Sequence, residues 1–289
     1  SYFSFYLKIL FLSEFFKKNL ENKKVGILLP NTSTFPLIIL SLNKIGFISA
    51  IFNYKSSSKV ILSCAKSSDV KVLITSKKFE QKANLENLIK EVSSEVEIIY
   101  LEDMLSKVNF FDKIYNITKG FFSKKYIPKS QDEVSLILYT SGSESTPKGV
   151  ALSNKNIISN LEQILDRMSH LSSKDIFFSS LPFFHSFGLT CGVLFPLLLK
   201  SKIFIYHNPL DYKIIPKKIK ESKANIFFST NSFLQSYSNF AEKEDFKNLK
   251  YIVAGGEKLQ NNVIKIYKDK FDLEIYQGYG ATEASPVIA

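Results

Sequence analysis

An apolar run, Ser135–Tyr139, leads into Thr140-Ser141-Gly142-Ser143-Glu144-Ser145-Thr146-Pro147-Lys148-Gly149-Val150. Hydroxyl side chains and a glycine directly after a strand can wrap an anion with backbone N–H and side-chain O–H groups, and a lysine closing the loop neutralises charge. Phosphate is the expected guest. The Walker A order Gly-x-x-x-x-Gly-Lys-Ser/Thr is not met, because Pro147 precedes Lys148 and Gly149 follows it, so the P-loop NTPase reading fails. On spacing alone, an ordinary polar loop fits this segment about as well as a phosphate cradle.

The rest of the titratable inventory is thin. His185 lies inside the apolar stretch Leu181–Leu199, and a lone histidine in such company is more often a satisfied core group than a ligand. His170 and His207 stand outside any motif, and no His, Cys or carboxylate cluster has zinc-ligand spacing. Cys64 and Cys191 are far apart with no Cys-x-x-Cys pair, which suggests neither a disulfide framework nor a thiolate metal site. A reducing, cytoplasmic setting is the expectation.

The elements that must position these residues alternate strand and helix. Lys24–Leu29 reads as a buried strand, followed by an apolar helix to about Ile45 and the strand Ile48–Phe52. The pattern continues with a helix near Ser57–Ser67, strand Val70–Thr75, helix Leu85–Val92 and strand Glu97–Leu101. Further strands are expected at Ser135–Tyr139, Asp175–Leu181, Lys202–Tyr206, Ile226–Ser229, Tyr251–Ala254 and Glu274–Gln277. Residues 103–134 read as a surface connection, and no internal repeat is apparent. Strands separated by helices predict an α/β fold of parallel sheets covered on both faces, where ligands bind beyond the carboxyl ends of the strands.

A chain of 289 residues, 45% hydrophobic, is large enough for one big domain or two joined lobes. It carries a formal charge of +11, almost all from lysine, since Arg167 is the only arginine. Short, scattered lysine pairs without a basic aromatic stripe argue against nucleic acid as a partner. A solvated lysine coat explains them, and attraction to an acidic partner or an anionic lipid surface is the functional alternative. Tyr2–Leu20 is interrupted by Lys8, Glu14, Lys17 and Lys18 as an amphipathic surface helix would be, so peripheral contact with the inner face of a membrane stays open while a span does not. Leu181–Leu199 is broken by Pro182, Gly188, Gly192 and Pro196 and is expected as a buried strand-loop-helix passage.

Four segments, in order, carry a family resemblance. The loop from Tyr139 to Val150 resembles the phosphate-binding signature of the adenylate-forming (AMP-binding) superfamily, and Leu181-Pro182-Phe183-Phe184-His185-Ser186-Phe187-Gly188 resembles its element beside the acyl pocket. Ala254-Gly255-Gly256-Glu257-Lys258-Leu259 resembles its adenine-side strand and loop, and Gly278-Tyr279-Gly280-Ala281-Thr282-Glu283 its Gly-Tyr-Gly-x-Thr-Glu motif. Within the superfamily the likeness is strongest to the acyl-[acyl-carrier-protein] synthetase half of bifunctional 2-acylglycerophosphoethanolamine acyltransferases, through Asn53-Tyr54 and Ser143-Glu144 among other points. Ser145 departs from the pattern, which usually has glycine there.

The resemblance implies a large N-terminal nucleotide-binding domain in two lobes, with ATP and Mg²⁺ as cofactors. Thr140, Ser141, Gly142, Ser143 and Lys148 would hold the terminal phosphates. Gly255, Gly256 and Glu257 would lie on the adenine side, and Tyr279 would stack on adenine between Gly278 and Gly280. Thr282 would bond the α-phosphate and Glu283 would hold Mg²⁺, while His185, Phe187 and Gly188 would border the acid. The implied reaction joins a fatty acid to AMP and passes the acyl group to a phosphopantetheine thiol, of acyl carrier protein in preference to CoA. An acyl-CoA ligase for another carboxylic acid and a non-catalytic nucleotide- or acyl-binding relative are the alternatives, the second favoured by Ser145. The family's ribose-binding aspartate, hinge and small C-terminal domain with its catalytic lysine are expected beyond Ala289, and an acyltransferase half, if present, would lie before Ser1. Residues 1–289 by themselves are therefore expected to bind nucleotide weakly and not to complete thioester formation.

Overall fold

The computed structural model describes residues 1–106, 108–123, 130, 132–140 and 147–289. Two compact units divide the chain, Ser1–Lys155 and Asn156–Ala289. In the first unit the order is α1 (Tyr2–Asn19), β1 (Lys24–Ile27), α2 (Thr34–Lys44), β2 (Ile48–Ile51), α3 (Ser58–Ser67) and β3 (Val72–Thr75). There follow α4 (Lys77–Lys82), α5 (Glu86–Val92), β4 (Glu97–Tyr100), α6 (Leu101–Ser106), α7 (Phe110–Phe122), β5 (Val134–Thr140) and β6 (Lys148–Ser153). The second unit holds most of α8 (Asn154–Arg167), then β7 (Ile176–Ser179), α9 (Ser186–Leu189), α10 (Phe195–Leu198), β8 (Lys202–Ile205), α11 (Ile215–Ser222) and β9 (Ile226–Ser229). It ends with α12 (Asn231–Ser238), β10 (Tyr251–Ala254), α13 (Asn261–Ile266) and β11 (Ile275–Gln277).

Each unit has its own sheet. The first has strand order β4-β3-β1-β2-β5-β6 and the second β11-β10-β9-β7-β8. All neighbours run parallel except β5 and β6. Strands buried on both faces read as near-continuous apolar runs. The tetrapeptide Ile-Phe-Phe-Ser, too short to be a repeat unit, forms both β7 and β9, which pair with Phe178 opposite Phe227. Those two rings meet edge-on at 5.7 Å. Tyr237 and Tyr267 fill the same core, and each satisfies its hydroxyl by donating to a carbonyl, Pro209 at 2.8 Å and Leu234 at 3.0 Å.

Two expectations need correction. Residues 103–134 are more than a connection, because α7 occupies 110–122 and is started by a capping box. Asn109 Oδ1 accepts from the Asp112 N–H at 2.8 Å, and the Asp112 carboxylate accepts from the Asn109 N–H at 3.1 Å. This helix packs on α1 through Gly120, where an added Cβ would come within 2.9 Å of the Leu10 carbonyl oxygen. The second concerns β6, an antiparallel edge strand not among the expected strands; Lys148 stands where the loop ends and opens this strand, facing Thr140.

The passage from Leu181 to Leu199 is a loop followed by helical turns rather than a span, and the strand expected within it, β7, ends earlier at Ser179. It runs through α9, a π-helical turn at Thr190–Leu194 and α10. Among the described residues no helix is long and apolar enough to cross a membrane. Cys64 and Cys191 are free and buried, and burial pushes their thiols up to about 11 and about 12.

Candidate nucleotide and acid site

In the first unit, the β5–β6 hairpin sets the mouth of the hydroxyl-rich loop. Thr140 and Lys148 are cross-strand partners, so the two described ends of that loop start side by side. Tyr139 anchors the end of β5 by stacking on Phe52 at 5.2 Å and donating its hydroxyl to the Cys64 carbonyl at 3.2 Å. Burial, only partly offset by the Ser68 hydroxyl, pushes the Tyr139 phenol up to about 12, so it stays protonated and keeps that bond. Lys148 is exposed at the start of β6. Ser141, Gly142 and Ser143, with Glu144 and Ser145, lie outside the described residues.

In the second unit, three segments far apart in sequence come together beyond the carboxyl ends of the strands. The loop after β10 carries Gly255, and the Phe187 ring lies so close that an added Cβ on Gly255 would sit 3.2 Å from it. Gly278 follows β11 and donates its N–H to the Ala254 carbonyl at 2.8 Å. The Ser186 and Thr282 hydroxyls share a hydrogen bond of 3.1 Å, which joins the His185 segment to the Gly-Tyr-Gly-x-Thr-Glu segment. Thr190 adds a second tie by donating to the Ser285 carbonyl at 3.2 Å.

Residues 278–289 fold back on themselves. Tyr279 N–H donates to the Ala289 carbonyl at 2.7 Å, Gly280 bridges to Val287, and Thr282–Ala284 makes a single 3-10 turn. Gly280 has no room for a side chain, because a Cβ there would collide with the Pro286 carbonyl. This hairpin holds the Tyr279 ring out, 68% exposed. A core role for this tyrosine is thereby ruled out, and a flat aromatic face beside two residues without side chains fits a planar base. His185 is likewise exposed, at the start of α9.

Glu257 has a role that sequence reasoning missed. Its carboxylate accepts from the Ser232 N–H at 2.7 Å and from the Ser232 hydroxyl at 2.8 Å, at the N-terminus of α12. Partial burial acts to raise its pKa, but the Ser232 and Thr230 hydrogen bonds outweigh it and the carboxyl ends below its usual range. A depressed folded pKa means stability present above the unfolded carboxyl range and lost as pH falls through the folded one. Glu257→Ala is expected to cost about 0.5–1 kcal/mol at neutral pH, as loss of a helix cap does. Urea unfolding at neutral and acid pH checks this, since the difference should disappear on acidification.

Glu283 is exposed one residue beyond Thr282. Among the described residues no three His, Cys, Asp or Glu side chains gather into a metal cage. A single exposed carboxylate such as Glu283 is compatible with magnesium, which commonly takes one or two carboxylates and completes its shell with phosphate oxygens and water.

Parallel sheets flanked by helices, with glycine-edged, hydroxyl-bearing loops beyond the carboxyl ends of the second unit's strands, define an α/β protein of the kind that takes ligands at those ends. The chain belongs to the AMP-binding enzyme family, whose model matches residues 1–289. ATP with Mg²⁺ is the nucleotide system of that family. The sequence is 28% identical over 281 residues to a 4-coumarate–CoA ligase-like protein of Arabidopsis thaliana, covering 91% of this chain and 47% of the relative. It is 28% identical over 280 residues to a 4-coumarate–CoA ligase of Vanilla planifolia, covering 93% of this chain and 49% of the relative. The fold matches that of a benzoate CoA ligase from Burkholderia xenovorans LB400 with a TM-score of 0.82 at 15% identity, over 99% of this chain and 57% of the other. The chain thus spans about half the length of the curated relatives it matches. These relatives handle aromatic acids by name, whereas the sequence motifs pointed to a fatty-acid ligase.

Proposed function

We propose that the protein activates a carboxylic acid with ATP and transfers the acyl group to a thiol. The observation that carries this reading is the meeting of Phe187 with Gly255 and of Ser186 with Thr282, which unites the acid-side, adenine-side and phosphate-side segments of the second unit. In this reading Tyr279 stacks on adenine with Gly278 and Gly280 letting the base reach the backbone, and Gly255, Gly256 and the Glu257 backbone border it. Thr282 donates to the α-phosphate. Thr140, Ser141, Gly142, Ser143 and Lys148 hold the terminal phosphates, and Glu283 is the protein ligand of Mg²⁺, which supplies charge neutralisation on the phosphates. His185, Phe187 and Gly188 line the approach of the acid.

The chemistry is two displacements. An oxygen of the carboxylate attacks the α-phosphorus, the bond to pyrophosphate breaks, and a mixed anhydride results. A phosphopantetheine thiolate then attacks its carbonyl and AMP leaves. The protein's part in the first step is positioning and charge stabilisation.

A fatty acid is the proposed substrate, on the strength of the Asn53-Tyr54 and Ser143-Glu144 likeness. Acyl carrier protein is the proposed acceptor ahead of CoA, an acidic carrier being suited to a chain of charge +11. A second reading, an aryl-acid CoA ligase, is favoured by the likeness to 4-coumarate–CoA ligases. Acid-dependent exchange of pyrophosphate into ATP by the intact protein separates them. Palmitate and laurate are expected to drive exchange well above 4-coumarate and benzoate. Exchange driven by the aromatic acids alone would transfer the protein to the second reading, and exchange with no acid would remove both.

A further inference from the structure

Helix α7 is amphipathic in the opposite sense to a core helix. Its inner face, toward α1, is formed by Asn116 and Gly120, both buried, while Phe110, Phe111, Ile114, Tyr115, Phe121 and Phe122 face solvent. Phe111 and Phe122 are 80% and 85% exposed. At about 100° per residue those six side chains fall within an arc of about 140°, with Thr118 the one polar residue inside it. Tyr6 of α1 extends the patch, its ring edge-on to Phe121 at 6.0 Å. Contiguous apolar surface of this kind marks a contact face.

The chemistry around the patch selects the partner. Lys113 and Lys119 flank the arc; Lys119 Nζ stands 5.7 Å from the Tyr115 ring centroid and 3.7 Å from the carboxylate of the buried Glu14 on α1, so Lys113 is the flanking cation without that ion pair. Asp112 is the only acid on the helix, and its carboxylate is turned back onto the Asn109 N–H. Protein interfaces favour Arg and Trp and are depleted in Lys. Here the border is lysine, the chain has no Trp, and its charge of +11 complements an anionic surface. Phenylalanine and tyrosine on one face with lysines at its edges is the pattern of a helix lying in a membrane interface.

We propose that α7, with the first turns of α1, lies in the headgroup region of an anionic lipid bilayer, Phe111 and Phe122 entering the acyl boundary and Lys113 and Lys119 level with the phosphates. The contact is peripheral. It goes beyond the ligase reading and does not depend on which acid is activated.

The test is co-sedimentation of the intact protein with vesicles of phosphatidylcholine alone or mixed with phosphatidylglycerol. Binding is expected to the mixed vesicles and should fall as salt is raised. The double substitution Phe111→Ser with Phe122→Ser is expected to lower the partition coefficient at least about tenfold, two large apolar side chains being lost from the contact. The urea midpoint and pyrophosphate exchange should be unchanged, since both residues are exposed and remote in sequence from every proposed site residue. Equal binding by parent and double variant would overturn the proposal, as would a parent that ignores the anionic vesicles. If such a parent instead forms a concentration-dependent dimer that the double substitution abolishes, the face belongs to a second copy of the chain.

Discussion

Replacing Glu283 with glutamine is expected to slow acid-dependent pyrophosphate exchange by about a hundredfold or more, the scale on which one preorganised electrostatic contact matters in an active site. The substitution is nearly isosteric and the side chain is exposed, so folding should be untouched. What changes is charge. With no three-residue cage among the described residues, Glu283 is the one carboxylate proposed for magnesium, and an amide oxygen is a weaker ligand for a hard cation. Raising the magnesium concentration should therefore recover part of the lost rate and shift the metal optimum upward. Exchange measured across a magnesium titration tests this, and an unchanged rate with an unchanged optimum would remove Glu283 from the metal site. Thr282→Ala provides a contrast, because its loss should not move the magnesium dependence.

Gly188→Ala is expected to be the most damaging single methyl group in the second unit, costing about 3 kcal/mol or more of stability, the upper range for overpacking. The added Cβ would collide with the carbonyl oxygen of Pro182 and stand 2.9 Å from its carbonyl carbon and 3.0 Å from the Leu181 oxygen. These are backbone atoms, so no flexible side chain can swing aside. The Pro182 carbonyl also accepts from the His185 N–H at 3.2 Å, and displacing it moves the turn that presents His185 and Phe187. Stability and activity should fall together, unlike the Glu283 case. Urea unfolding with exchange measured on the same preparation checks it, and a variant of parental stability would mean that the 181–188 loop can open at little cost.

The inner strands of both sheets were readable because a parallel strand buried on both faces has few polar positions to interrupt it. Val25–Ile27, Val72–Thr75 and Ile226–Ser229 announce themselves as runs. The edge strand β6 was not readable, because Lys148 and Gly149 are exposed and the strand is buried only at its end. Helix α7 was passed over although its apolar residues recur at helical spacing; what the sequence could not show is its orientation, because those residues look outward and the face that packs is made of Asn116 and Gly120.

The same division runs through the candidate site. Residue types and local order in the sequence determined the hydroxyl-rich loop, the glycines around Tyr279 and the acid after Thr282, since these depend on side-chain chemistry and near neighbours. Tertiary structure decided which of them meet. No spacing rule could have paired Ser186 with Thr282 or set Phe187 over Gly255, because strand order β11-β10-β9-β7-β8 brings their loops together across the gaps in sequence. It likewise turned the Glu257 carboxylate onto Ser232 and held Tyr279 and His185 at the surface. A side chain's chemistry is a local property, whereas its burial and partners depend on which strands the chain lays side by side.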